Sequence, residues 1–279
     1  MNIPSLPLAE LADAAIDFLV ETCAPFTRAG AEVVSALLDI FEHGLLACPP
    51  WLFIPLLCGI TWLLTRRLLF PLGVGLGFAL LWNIGLWTPT IVTLALVLAS
   101  TVLSSLIGVG LGILAGVCKP VRICIMPLLD IMQTMPAFVY LIPAVLFFGL
   151  GTVPGAFATI IFALPPVARL TALGLRQVPK NVVEAARSFG ATPSQLLFKV
   201  ELPLALPTIL AGINQTIMMS LSMVVVAAMI SAGGLGEVVL KGITQMKIGM
   251  GFEGGIAVVI LAIVLDRITQ GMARKKQKE

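Results

Sequence analysis

Charge is scarce in this chain, and two residue types that carry much of ordinary site chemistry are nearly missing. Only 11% of its 279 residues are charged, and it has one histidine, His43, and one tyrosine, Tyr140. Five cysteines (Cys23, Cys48, Cys58, Cys118 and Cys124) include no Cys-x-x-Cys pair, so neither a zinc nor an iron–sulfur site is supported. They read as small buried thiols; a Cys23–Cys48 bridge would require an N-terminus on an oxidising side. No lysine is followed by Ser or Thr, so the phosphate cradle of a P-loop ATPase is missing and ATP must be handled elsewhere. Paired carboxylates and nucleophile–base constellations are also missing, which disfavours a membrane-embedded enzyme. Basic residues flank apolar runs rather than forming a patch with interleaved aromatics, so nucleic-acid binding has no support. The first residues carry acids instead of the basic n-region of a cleavable signal.

What is present is apolar. With 59% hydrophobic residues and a mean hydropathy of +1.08, the sequence specifies an all-α integral membrane protein. Residues 1–50 read as two amphipathic helices. In the first, Leu8, Leu11, Ala12, Ala15, Ile16 and Leu19 oppose Glu10, Asp13, Asp17 and Glu21. In the second, Val33, Val34, Leu37, Leu38, Phe41 and Leu45 oppose Glu32, Asp39 and Glu42. Their acidic faces favour packing on the rim of the protein over anchoring in anionic lipid. Residues 51–87 read as two peripheral spans separated by Arg66-Arg67. Five more follow: about 88–117, 123–150, 152–173, 204–230 and 256–268. Gly108, Gly112 and Gly116 have the spacing of a close helix-packing seam. Pro127, Pro136 and Pro143 predict a kinked or broken fourth span. Residues 271–279 form a basic tail, and the simplest organisation is one domain.

Between the fifth and sixth spans lies a polar segment, 179–203, with the punctuation of a helical hairpin. Pro179 opens it, Gly190 suits a left-handed C-terminal turn, and Thr192-Pro193-Ser194-Gln195 reads as a capping box with proline at the first helical position. Val182, Val183, Ala186 and Phe189 share one face of the first helix, and Glu184 and Arg187 stand at pairing distance on another. Small Ala185 and Ala186 allow a partner's backbone to approach.

Glu184-Ala185-Ala186, followed by Gly190, Val200 and Leu202-Pro203, resembles the cytoplasmic signature loop of permeases of binding-protein-dependent ABC importers, with Val200 where isoleucine is usual. The segments Asp130–Tyr140, Ile161–Arg169, Gly212–Thr216, Gly233–Gly236 and Ile263–Arg267 narrow the likeness. Together they resemble the permease subunit of glycine betaine, choline or proline betaine importers over roughly residues 70–270. The resemblance implies a type I ABC importer transmembrane domain of about seven transmembrane helices, with 88–270 as its core. It also implies that Glu184, Ala185, Ala186, Arg187, Gly190, Leu202 and Pro203 couple the pore to an ATPase. The implied partners are two copies of an ATP-binding subunit, which would hold ATP and Mg, an external substrate-binding protein and a second copy of this chain. This chain itself needs no cofactor.

With the hairpin cytoplasmic, seven spans in a bacterial inner membrane place the C-terminus inside and the N-terminus outside. Arg66, Arg67, Lys119, Arg122, Arg176, Lys180, Arg187, Lys199 and the tail basics then fall inside, as the positive-inside rule requires, with Lys241 and Lys247 as exceptions. Gln133, Met135, Asn214, Gln215, Met218 and Ser222 are the main candidates for a polar pathway lining, with Met132, Thr216, Met219 and Ser220 behind them. Each also has a plain reading as an interhelical bond or core filler. Gly233-Gly234-Leu235-Gly236 reads as an external gate, a docking loop or a simple turn. The competing function is an ion-coupled secondary transporter of small osmolytes. Its intramembrane carboxylate candidates are few: Asp130, and Asp266, which reads as a local pair with Arg267.

Overall fold

A computed structural model describes residues 8–65 and 68–276. Arg66-Arg67 lie outside the described residues. So do the side chains of the first amphipathic stripe from Leu8 to Leu19, of Cys23 and of the basic tail. Every regular element among the described residues is helical. They are α1 (Leu8–Leu46), α2 (Pro50–Thr65), α3 (Leu69–Asn83), α4 (Trp87–Val117), α5 (Lys119–Thr134) and α6 (Leu141–Phe148). After these come α7 (Thr152–Arg176), α8 (Lys180–Ser188), α9 (Pro193–Leu196), α10 (Leu202–Ala227), α11 (Gly234–Thr244) and α12 (Ile248–Lys276).

The centre is a three-helix slab in which α7 is packed between α4 and α10. In a bilayer, apolar side chains gain little by leaving lipid, so close contact depends on small residues and interhelical hydrogen bonds. The predicted glycine seam supplies the first. A Cβ at Gly108 would stand 2.4 Å from Val167, one at Gly112 would stand 2.5 Å from the Ala168 carbonyl, and one at Gly116 would stand 2.8 Å from Leu175. The second comes from Ser104, whose hydroxyl donates to the Ile160 carbonyl at 2.9 Å, and Thr216, which donates to the Ala163 carbonyl at 2.9 Å. Such bonds contribute about 0.6 kcal/mol each.

These contacts fix direction. Residues 104–116 of α4 climb beside 160–175 of α7, so the two helices are parallel. Along α10, Ala205 meets Gly174 and Thr216 meets Ala163, so α10 runs antiparallel to both. The segment 179–203 therefore caps one end of the molecule, and the α6–α7 junction lies at the other.

Two expectations are corrected. Residues 8–46 form one continuous helix rather than two; its second half packs along α4, α6 and α7, and tertiary packing outweighs the local break in the pattern. Among the described residues the seven expected spans are not all single helices of full length. Among these residues four helices are long and apolar enough to cross a bilayer: Trp87–Val117, Thr152–Arg176, the continuous run Pro193–Ile230, and Ile248–Gly271. Counting each bent pair as one span raises the number to six. Six includes α2, joined to the second half of α1, and the broken fourth span, and leaves out α3. The helices α2 and α3, of 16 and 15 residues, are about 24 and 22 Å long against a hydrocarbon core of about 30 Å. They pack together at the periphery, where Phe53, Phe78 and Trp87 form an aromatic cluster with centroids 5.4–6.5 Å apart.

The fourth span is broken, as its prolines predict. α5 and the run Ala137–Phe148 meet at 111° around Met135-Pro136. The Tyr140 hydroxyl reaches back across the break and donates to the Met132 carbonyl, a group that the interrupted helix would otherwise leave without a partner. Its ring packs edge-on against Phe162 of α7, with centroids 5.7 Å apart.

Candidate coupling and pathway site

The hairpin forms as its residues dictate. α8 ends at Phe189, and Gly190 adopts φ +80°, the left-handed turn that a Cβ would strain. Thr192 then caps α9. Its side chain accepts from the Gln195 backbone N–H at 3.3 Å while the Gln195 side chain accepts from the Thr192 N–H at 3.0 Å. The second arm differs from expectation. Rather than a separate short helix, Pro193–Ile230 is one continuous run of 38 residues. Pro203 has no N–H to continue the ladder; just before it a π turn at Leu197–Glu201 takes up the mismatch, with the Leu202 N–H bonded five residues back to the Leu197 carbonyl.

Glu184, Ala185 and Arg187 are exposed, Ala186 is half-buried, Gly190 and Pro203 are exposed, and Leu202 packs on the Leu175–Ala205–Ile209 cluster. Glu184 and Arg187 form no ion pair: both side chains stand in solvent, where a local pair contributes little. Phe189, which the pattern assigned to the packed face, is 92% exposed. The first arm thus presents an aromatic, two alanines and a carboxylate to its surroundings, with Lys180, Arg187 and Lys199 exposed around them.

The pathway candidates divide. Gln215, Met218 and Ser222 are exposed on α10 at the spacing of one helical face, and the Ser222 hydroxyl donates to the Met218 carbonyl at 2.9 Å. Gln133 is exposed on α5, one turn from Asp130. Met135 instead fills the cluster of Tyr140, Met223 and Ile230, and Met132 packs near Leu129. Asn214 turns away from the exposed face of α10: its amide donates to Asp266 at 3.0 Å and its carbonyl accepts from Thr269. Gln270 donates to both Asp266 oxygens at 2.8 Å, so Asp266 is held by Asn214 and Gln270 rather than paired with Arg267. Thr216 and Ser220 are buried; Thr216 ties α10 to α7, and Ser220 accepts from Thr101 of α4 at 3.4 Å. Gly233–Gly236 forms a packed turn, its Leu235 N–H donating to Thr93 at 2.7 Å.

Arg169 of α7 ion-pairs with Asp130 of α5, a pairing the motif reading did not join. The available signal was two opposite charges, each isolated within an apolar run. At the opposite end, the second half of α1 forms with the α6–α7 junction a groove of about 640 Å³ whose lining includes Arg28, Glu32, Asp39, Phe147 and Phe148.

A slab of long apolar helices bearing on one end a capped hairpin that its own chain leaves uncovered is the architecture of a membrane transport permease. Comparison is in accord. Residues 108–278 match the family described as binding-protein-dependent transport system inner membrane component, and the chain belongs to that family. It is 48% identical, over 99% of its length and 98% of the relative's, to the glycine betaine transport system permease protein OpuAB of Bacillus subtilis (strain 168). It is 47% identical to the glycine betaine/proline betaine transport system permease protein ProW of Escherichia coli (strain K12), over 96% of this chain and 76% of ProW. It is 46% identical to the glycine betaine/carnitine transport permease protein GbuB of Listeria monocytogenes serotype 1/2a, over 100% and 99%. Among solved structures, an inward-facing MetNI methionine ABC transporter chain superposes with a TM-score of 0.63 at 23% identity, covering 68% of this chain and 95% of that one, which establishes the shared fold.

Proposed function

We propose that this chain is the pore-forming subunit of an ATP-driven importer of glycine betaine or a related quaternary amine, assembled as a homodimer with two ATPase subunits. The observation that carries the substrate class is the end-to-end identity to OpuAB and GbuB, whose names give glycine betaine and, for GbuB, carnitine. What supports the energy source is the exposed hairpin: Phe189, Ala185 and Glu184 form a small mixed surface suited to a groove on a partner. The missing phosphate cradle leaves ATP and Mg to that partner.

In this reading the hairpin end is cytoplasmic and the end bearing α1 is external, with basic residues at the first and Glu32, Asp39 and Glu42 at the second. An external binding protein delivers substrate to the α1 end. Closure of the ATPase pair moves α8 together with the rod that begins at Pro193, and the pore alternates between inward and outward access. One tyrosine and peripheral tryptophans make a poor aromatic cage, so selectivity resides chiefly in the binding protein. Gln133, Gln215, Met218 and Ser222 supply the weakly attractive lining.

The test is uptake of radiolabelled glycine betaine into proteoliposomes holding the complete complex with ATP inside and binding protein outside. ATP-dependent accumulation is expected. Accumulation driven by an ion gradient without the ATPase subunit would overturn the reading in favour of secondary transport.

A further inference from the structure

The Asp130–Arg169 pair is at odds with its setting. Arg169 lies seven residues, about 10 Å, inside α7 from Arg176, and Asp130 lies one turn before the break in the fourth span. Yet the two side chains are 39% and 61% exposed in the chain. Charges at such depth face lipid only at great cost; they line water or protein. The residues around them point to water. Gln133 follows Asp130 on the same face of α5, and Gln215, Met218 and Ser222 stand on the exposed face of α10. The 3-10 turn Ala137–Tyr140 connects the two by packing against α10. Nor is the pair saturated. One Arg169 terminal nitrogen pairs with Asp130 while the side chain stays 39% exposed, so the guanidinium keeps donors beyond the one facing Asp130, and a planar fork of this kind suits a second carboxylate.

Accepting the uptake function above, we propose that Asp130 and Arg169 face the translocation path and form a transit site for a zwitterion. Asp130 contacts the quaternary ammonium and Arg169 the carboxylate of a betaine as the pair opens. Two opposite charges that satisfy each other at rest are a complement to a small molecule carrying the same two charges, and they leave no unpaired charge in the membrane when the molecule has gone. The hinge is at hand: Asp130 rides on the helix that ends at the 111° bend, whereas Arg169 belongs to the tightly packed α7. Movement of the broken span therefore separates them.

The test uses the complete complex in proteoliposomes, with radiolabelled glycine betaine as probe and with copurification of the ATPase subunit and unfolding temperature as controls for assembly. ATP-dependent uptake by the wild-type complex comes first; its failure overturns the functional reading and, with it, the transit site that rests on that reading. Given wild-type uptake, Asp130→Asn and Arg169→Gln are each expected to lower it about ten-fold, the effect of losing a hydrogen bond to a charged group. The exchanged pair, Asp130→Arg with Arg169→Asp, keeps a salt bridge but reverses the site and is expected to stay defective. Should the neutral variants not assemble, Asp130→Glu and Arg169→Lys keep the charges and are expected to assemble and to raise the substrate concentration for half-maximal uptake. Wild-type uptake by an assembled neutral variant or by both conservative variants, or recovery in the exchanged pair, would overturn the proposal.

Discussion

Gly112 occupies a position where any side chain collides: a Cβ there would stand 2.5 Å from both the Ala168 carbonyl and the Thr171 Cβ. Both are parts of α7 that cannot swing aside. Gly112→Leu is therefore expected to destabilise the protein by about 3 kcal/mol, read as a lower unfolding temperature in detergent. Gly190 is the contrasting case. Its φ of +80° asks for glycine, but nothing lies within 4 Å of its missing side chain. Gly190→Val should cost only about 1–2 kcal/mol of local strain and leave the protein in the membrane while uncoupling ATP hydrolysis from uptake; normal uptake by this variant would contradict the coupling role. Asn214 binds Asp266 and Thr269 of α12. Asn214→Leu removes a bond to the Asp266 carboxylate worth about 1.5–3 kcal/mol, so a fall in unfolding temperature should accompany any loss of uptake.

Among the helices, those punctuated by their own neighbours were legible in the sequence. Gly190 and the Thr192–Gln195 box act over three or four residues, and the break at Pro136 is written in the chain, so these features stand as read. What depended on distant partners did not. Asn214 finds Asp266 fifty-two positions away, and Arg169 finds Asp130 thirty-nine away; periodicity within one helix cannot see either. The continuity of α9 with α10 was missed for a related reason, since Pro203 reads locally as a stop, and only a π turn before it lets the helix continue. That turn makes a prediction of its own. Deleting Val200 removes the extra residue and rotates the hairpin by about 100° relative to α10. The spans should insert and pack normally, whereas copurification of the ATPase subunit and uptake should both fall.

For the molecule as a whole, the contacts set two ends apart: the hairpin, the start of α5 and the end of α12 at one, and the second half of α1 with the α6–α7 junction at the other. Hydropathy found the core spans because α4, α7, α10 and α12 are long and apolar. The periphery differs in form: α2 and α3 are short and α1 bends by 101° into α2. Single cysteines at Ser194 and Asp39, in a background without the native cysteines, are expected to react with membrane-impermeant reagents from opposite faces, Ser194 from the cytoplasm. Labelling of both from one face would refute the two-ended arrangement.

The helical run from Pro193 to Ile230 measures about 57 Å from tip to tip. Pivoted near its middle, such a pendulum sweeps each tip through about 2.5 Å for every 5° of swing, so under the proposed coupling a slight nudge at the hairpin end would arrive at the other end undiminished. On that proposal distance is crossed by stiffness: a signal would need no relay to traverse, because sender and receiver would be the two tips of one rod.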